Sequence, residues 1–295
     1  MKTITLDTIN PATFDGLAQL VDSHADYCVL RRVPAYSEVP MWPLGEAGLK
    51  IAVVDTETMG LSADVHPMLE VAITIVELTA DGEAAIIHPT ESWLQDPQCA
   101  IPERITQITG IDQSVVEGRT FDRGAIDEAL TYADLIVAHN ARFDRAFMVR
   151  EFSAARTRPW ACSLNDVDWL ALGHSGRALS QLLAHVGRFD DAHRAGPDSW
   201  ALTWLLLQQG SDGLSYARHL VDRASQPHVR VEARHSPFHT KEALKAMGCS
   251  WDPLAGVWYK AVPAAQEREV VSDLQSIHSS INPVTVPVDP LDRYG

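Results

Sequence analysis

The sequence lacks any apolar run of the ~18 residues that a membrane helix needs. Its first stretch, "MKTITLDTINPATF", has no signal-peptide core. A soluble, cytoplasmic chain with no membrane partner is expected. Cysteine is scarce: Cys28, Cys99, Cys162 and Cys249 lie far apart and form no C-x-x-C pair. That spacing argues for buried free thiols rather than disulfides or a zinc site. Basic residues are outnumbered, 24 against 39 acidic ones, for a formal charge of −15. Such a chain is no general nucleic-acid coat, because phosphate contacts need Lys and Arg. It can still act on a phosphodiester where metal ions supply positive charge locally. No internal repeat is present.

With 295 residues and 46 % hydrophobic content, the chain can build one large domain plus a small one. "PATFDGLAQLVDSHADY" reads as a helical lead-in and "CVLRRVP" as a short extended piece. "KIAVVDTE", "MLEVAITIVEL" and "EAAIIHP" are strand candidates. The short Gly- and Asp-bearing loops between them favour an antiparallel meander. "IPERITQITGI" is helical or loop, and "AIDEALTYA" is a helix. "DLIVAHN" is a strand running into the helix "ARFDRAFMVREF", and "PWACSL" is another strand. "NDVDWLALG", "ALSQLLAHVG" and "PDSWALTWLLLQQG" read as helices. The result is a mixed sheet with helices on its faces.

The apolar strand "IAVVDTETMGL" stops at Asp55, with Glu57 two residues on. Side chains at i and i+2 share a face, so Ile51, Val53, Asp55 and Glu57 line up. Two carboxylates beside Ile and Val repel each other and lose hydration. A divalent cation compensates them directly, since hard cations take oxygen ligands. Taken alone, the pair also reads as two solvated turn residues. Asp144 shares a helix face with Phe147 and Met148, and Asp198 with Ala201, Leu202 and Leu205. Each also reads as a first-turn acid favoured by the helix dipole. His193, in the loop "DDAHRAGPD", lies near enough to Asp198 to serve as a general base, or is a surface histidine. Asn140 can cap the helix that follows it, hold substrate, or both.

"DTET" (55–58), "AHNARFD" (138–144) and "HRAGPD" (193–198) together resemble the DEDDh, or DnaQ-like, exonucleases. That family includes the proofreading epsilon subunit of bacterial DNA polymerase III and ribonuclease T. "ITGI" and "MVREF" also fit, and the histidine in the last motif assigns the subgroup. The resemblance implies a ribonuclease H-like fold, with a mixed five-stranded sheet flanked by helices, over residues 48–212. It implies 3′→5′ hydrolysis of nucleic acid with a free 3′ end, using two divalent cations, Mg²⁺ or Mn²⁺. Asp55, Glu57 and Asp198 would bind one ion, Asp55 would bridge to the second, and Asp144 would support it. His193 would take a proton from the attacking water. Thr58, Met59 and Gly60 would meet the terminal nucleotide, with Asn140 and Phe143 shaping the pocket. Single-stranded DNA is the first expectation; RNA stays open. Family members include dimers, so a homodimer stays open too. The extension of 1–47, and the want of a Gln-rich linker or clamp-binding peptide, argue against association with a replicative polymerase.

After a linker (213–227) the pattern restarts as a small α+β module, 228–276, with a loose tail at 277–295. The module holds six basic and six acidic residues between 228 and 274, so the negative charge lies elsewhere. Trp251, Trp258 and Tyr259 on its hairpin either form a very small core or, beside Lys241 and Lys245, stack the bases of a single strand. Two other functions remain for the whole chain: a nucleic-acid-binding module without catalysis, and a nucleotide phosphohydrolase.

Overall fold

A computed structural model of the chain describes residues 11–39, 46–190 and 193–295. Helix α1 (Pro11–Asp22) and the short strand β1 (Arg31–Arg32) precede β2 (Leu49–Thr58), β3 (Met68–Leu78), β4 (Ala84–Ile87) and β5 (Glu91–Leu94). Then come α2 (Glu103–Thr109), α3 (Gln113–Val116), α4 (Arg123–Tyr132), β6 (Leu135–Ala138), α5 (Ala141–Glu151), α6 (Ala154–Thr157) and β7 (Trp160–Cys162). The main body ends with α7 (Ser163–Asp166), α8 (Leu179–His185), β8 (Arg188–Phe189), α9 (Ala195–Leu206) and α10 (Tyr216–Ala224).

The sheet runs β4-β3-β2-β6-β7, the five expected strands, and β5 joins as a sixth on β3. The β2–β3–β4 meander is antiparallel, while β6 and β7 add in parallel to β2. Every residue of β3 is buried, as expected of a strand with pairing partners on both edges and helices over the sheet. On β2, Ile51 and Val53 join a core with Leu202, Leu205 and Leu206 of α9. Ala52 and Val54 face the opposite core, with Ile126 and Leu130 of α4 and Met148 of α5. Strand alternation thus gives each helical layer its own face of β2. The expected N-terminal helix is α1, and β1 pairs in parallel with β8. Trp200 Nε1 of α9 donates to the Pro34 carbonyl at 2.8 Å, which ties this segment to the body.

The C-terminal module is a second sheet. Its elements are β9 (His228–Arg234), α11 (Lys241–Ala246), β10 (Ser250–Asp252), β11 (Val257–Pro263), α12 (Glu267–Ile277) and β12 (Asn282–Val288). The strand order is β10-β11-β9-β12, over a core of Val229, Val231, Leu244, Val262, Val270 and Leu274.

Four expectations are corrected. Residues 213–227 are no linker: α10 occupies most of them, with Tyr216, Ala217 and Leu220 buried in the core beside α9. Residues 277–295 are no loose tail: β12 pairs along the whole of β9. Pro283 and Pro287 are four residues apart, so the N–H groups they lack fall on one edge. An edge strand tolerates that. "NDVDWLALG" is not one helix; only α7 forms there. Asp166 Oδ2 accepts from Cys162 N at 2.8 Å, and Trp169 Nε1 donates to Ser163 O at 2.7 Å, folding the segment into turns. All four cysteines are free, but Cys28 and Cys99 are exposed rather than buried, since neither belongs to a packed element. No helix among the described residues is long and apolar enough to cross a membrane.

Candidate active site

Asp55 and Glu57 stand at the end of β2 on the face of Ile51 and Val53. The register with β3 shifts between Glu57 and Thr58; such a bulge bends a strand and re-aims its side chains. Above this face lies α9. Its leucines pack on Ile51 and Val53, and Ser199 Oγ donates to Val53 O at 2.9 Å. Asp198, the residue before Ser199 and one turn before Leu202, is thereby held over the strand end. Asp55, Glu57 and Asp198 each offer a carboxylate oxygen, and these oxygens lie within 4.8 Å of one another. All three residues are half-buried.

Asp144, buried on α5, accepts a hydrogen bond from Thr56 Oγ1 at 2.8 Å. Thr56 lies between Asp55 and Glu57, so Asp144 approaches the end of β2 from the other layer. Burial, then the charges of Asp144, Asp198, Glu57 and Glu70, hold the Asp55 carboxyl well above its usual range. Burial and the charges of Asp198, Glu70 and Asp144 push Glu57 up to about 8. Burial pushes Asp144 up to about 7. Burial and the neighbouring Asp190 carboxyl do the same for Asp198. Among the described residues, no cationic side chain forms an ion pair with any of these four acids. Three converging carboxylates without a direct ion pair among the described residues have the composition and spacing to hold a hard divalent cation.

Two groups that the sequence reading missed complete the surroundings. Glu70 faces Glu57 across the β2–β3 register and is buried. Arg194 grips it with two hydrogen bonds, Nε to Oε2 at 2.9 Å and Nη2 to Oε1 at 3.1 Å, and Ala195 N donates to Oε2 at 3.2 Å. The hydrogen bonds of the Arg194 guanidinium therefore go to Glu70, and only its longer-range charge reaches Glu57. Asp190 is the second, close enough to Asp198 to raise it. The apolar strand β3 carries two acids, Glu70 and Glu77, and its period does not single out Glu70; Asp190 had no signal beyond its place in a polar loop.

His193 is exposed, has φ +74°, and donates its backbone N–H to Asp198 Oδ2 at 2.8 Å. The structure thus brings its backbone to the cluster; its imidazole makes no hydrogen bond there among the described residues. Asn140 occupies the cap position of α5 at φ +71°, but its side chain makes no capping bond, which leaves the amide available. Phe143 packs against Phe147, ring centroids 5.1 Å apart. His139 donates to or accepts from Ser163 Oγ at 2.8 Å, and burial holds it down to about 4, so it is neutral at pH 7. Beyond Glu57 the strand turns: Thr58 Oγ1 donates to Gly60 O at 2.8 Å. Met59 packs against Leu69, Ile111 and Val116. A Cβ on Gly60 would lie 2.6 Å from the His66 ring, so a larger residue would require that ring to shift.

The sequence model of the RNase_T exonuclease family matches residues 52–202. The PolC-type DNA polymerase III of Thermotoga petrophila is 30 % identical over 119 residues, covering 40 % of this chain and 8 % of that protein. The DNA polymerase III subunit epsilon of Treponema pallidum is 28 % identical over 185 residues, 60 % of this chain and 83 % of that one. Among solved structures, E. coli exonuclease I in complex with a dT13 oligonucleotide is 17 % identical with a TM-score of 0.45, over 62 % of this chain and 48 % of that one. The chain thus spans under a tenth of the PolC-type relative's length.

Proposed function

We propose that this chain, which belongs to the exonuclease family, hydrolyses phosphodiester bonds at the 3′ end of nucleic acid with two divalent cations. The observation that carries the reading is the cluster of Asp55, Glu57 and Asp198 oxygens within 4.8 Å. In this reading these three hold one cation. Asp55 and Asp144 would hold the second. When bound, the cations, Mg²⁺ or Mn²⁺, lower the pKa of water and stabilise the leaving oxygen.

The protein's own part is to hold charge in place. The raised carboxylates give up their protons as cations bind, so binding is coupled to proton release. Rigid attachment to β2 and α9 keeps the ligands from collapsing onto one another. His193 takes a proton from the attacking water, from its place on the loop beside Asp198, where its backbone N–H already meets Oδ2. Thr58, Met59 and Gly60 support the terminal nucleotide, and Asn140 and Phe143 border it. Single-stranded DNA is the preferred substrate in this reading.

The test is a 3′-labelled and a 5′-labelled oligonucleotide incubated with Mg²⁺ or Mn²⁺, against chelator and against Asp55→Ala. Metal-dependent release of mononucleotides from the 3′ end is expected, with Asp55→Ala lowering kcat/KM by about 10³-fold. Binding without cleavage, or hydrolysis of mononucleotides alone, would reject the proposal.

A further inference from the structure

Away from the acid cluster, the C-terminal module carries a groove of about 840 Å³ between α11 and the β10–β11 hairpin. Its walls include Trp251, Trp258, Phe238, Lys241, Lys245 and His235. Trp251 and Trp258 are partners across the hairpin, so both rings stand on one face, centroids 5.5 Å apart and tilted by 55°. Trp251 is 45 % exposed and Phe238 88 % exposed. Neither belongs to the module's core, which is closed by Val, Leu and Ile side chains; Trp258 only packs against its edge. A core role therefore does not account for Trp251 or Phe238. Exposed rings clustered on so small a module mark an interaction site.

The charge around the groove identifies its occupant. The chain has 39 acidic residues, yet among the described residues none that lines the groove is acidic; Glu242, outside the lining, pairs with Lys245 at 3.3 Å. It has only five lysines, and Lys241, Lys245 and Lys260 all fall in this module. Lys241 Nζ lies 5.9 Å from the Phe238 ring centroid. Flat rings with ammonium groups at their border suit a ligand that alternates flat bases with anionic phosphates. A peptide would have to be both aromatic and acidic to match as well.

The groove is also tied to the catalytic layer. Tyr259 follows Trp258 on β11 and so points to the opposite face of the sheet. There Arg142 Nη1 of α5 donates to its hydroxyl at 3.1 Å. Helix α5 also carries Asp144.

We propose that this groove binds single-stranded nucleic acid, its bases on Trp251, Trp258 and Phe238 and its phosphates against Lys241 and Lys245. It holds the strand upstream of the 3′ end presented to Asp55 and Asp198. The direction of the strand rests on the exonuclease reading; the binding does not.

The experiment uses the full chain and a 5′-fluorescein oligothymidylate of about twenty nucleotides. Anisotropy is read in chelator, across salt, for wild type, Trp251→Ala, Trp251→Phe and Lys241→Ala/Lys245→Ala. The melting temperature of each variant reports folding. Trp251→Ala should weaken binding about tenfold, and Trp251→Phe should restore most of it. The lysine variant should reduce the slope of log Kd against log salt by roughly 1.4, about 0.7 per phosphate contact on a single strand. With Mg²⁺, KM for the long strand should rise by the same factor while kcat, and cleavage of a dinucleotide, stay unchanged. Unchanged affinity and salt slope in folded variants would overturn the proposal, as would displacement of the oligonucleotide from wild type only by an acidic aromatic peptide. If wild type binds but never cleaves, and the variants weaken that binding, the groove stands and the exonuclease reading fails. If wild type cleaves and the variants alter neither affinity nor KM, the groove fails and the exonuclease reading stands.

Discussion

Glu70 shows how much a single side chain can govern. It neutralises Arg194, accepts from the first N–H of α9, and still adds its charge to the field at Glu57. Glu70→Gln would leave Arg194 short of its partner and loosen the segment that carries His193. We expect a loss of about 1–3 kcal/mol of stability, read by urea melts. Activity should fall mainly in kcat; an unchanged kcat would dismiss Glu70 as a positioning residue. The acids themselves set a pH dependence. Glu57 at about 8, and Asp144 and Asp198 at about 7, stand above their ordinary 4.5 and 3.8. The folded state then binds more protons than the unfolded one, so these groups destabilise the fold as pH rises from about 4 to about 8. His139, held near 4 against 6.5, acts in the opposite sense between those values. The acid contribution is therefore read as a difference: in chelator, Glu57→Gln should melt above wild type by a margin that grows with pH to about 8. Added Mg²⁺ should stabilise wild type more at high pH than at low. A margin that shrinks with pH would contradict the raised carboxylates. Asp55, Glu57 and Asp198 were legible in the sequence because strand and helix periods fix their faces. Glu70 and Asp190 were not, because their roles depend on strand register and loop path, which no period reveals.

At the level of elements, α9 does the positioning. Leu202 is buried against the face of β2 that bears Asp55 and Glu57, and Ser199 bridges Val53 O and Thr74 Oγ1, the latter at 2.8 Å. Leu202→Ala should cost about 2–5 kcal/mol by denaturant titration. Because Asp198 rides on the same helix, calorimetry should also show weaker cation binding. A destabilised variant with full cation affinity would separate packing from ligand placement. The alternating strands and the helix in "PDSWALTWLLL" could be read directly from apolar periodicity. β5 and β12 could not. β5 is a four-residue edge with its first two residues exposed, and the prolines of β12 read as breakers until its place at the edge of a sheet is known.

At the level of the whole molecule, the two sheets are joined by a short buried network. Arg293 pairs with Asp166, and both side chains are almost fully buried. The Tyr294 hydroxyl donates to Asp166 Oδ2 at 2.5 Å, and Arg145 Nη2 of α5 donates to Leu291 O at 2.7 Å. Arg293→Ala would leave Asp166 buried without its cation, a loss of about 3 kcal/mol. Denaturation followed separately by Trp160 in the body and Trp258 in the module should then lose coincidence. A single sharp transition at the wild-type midpoint would show that the network holds nothing together. Composition hinted at two units, since charge balance changes after residue 228, but this return contact joins residues more than a hundred positions apart. The prolines of β12 have one more consequence. They leave the module an outer rim that another strand cannot zip onto, so the sheet is protected against end-to-end stacking with its copies. A chain cut before residue 282 would bare the whole flank of β9 and lose that protection, with aggregation as the result.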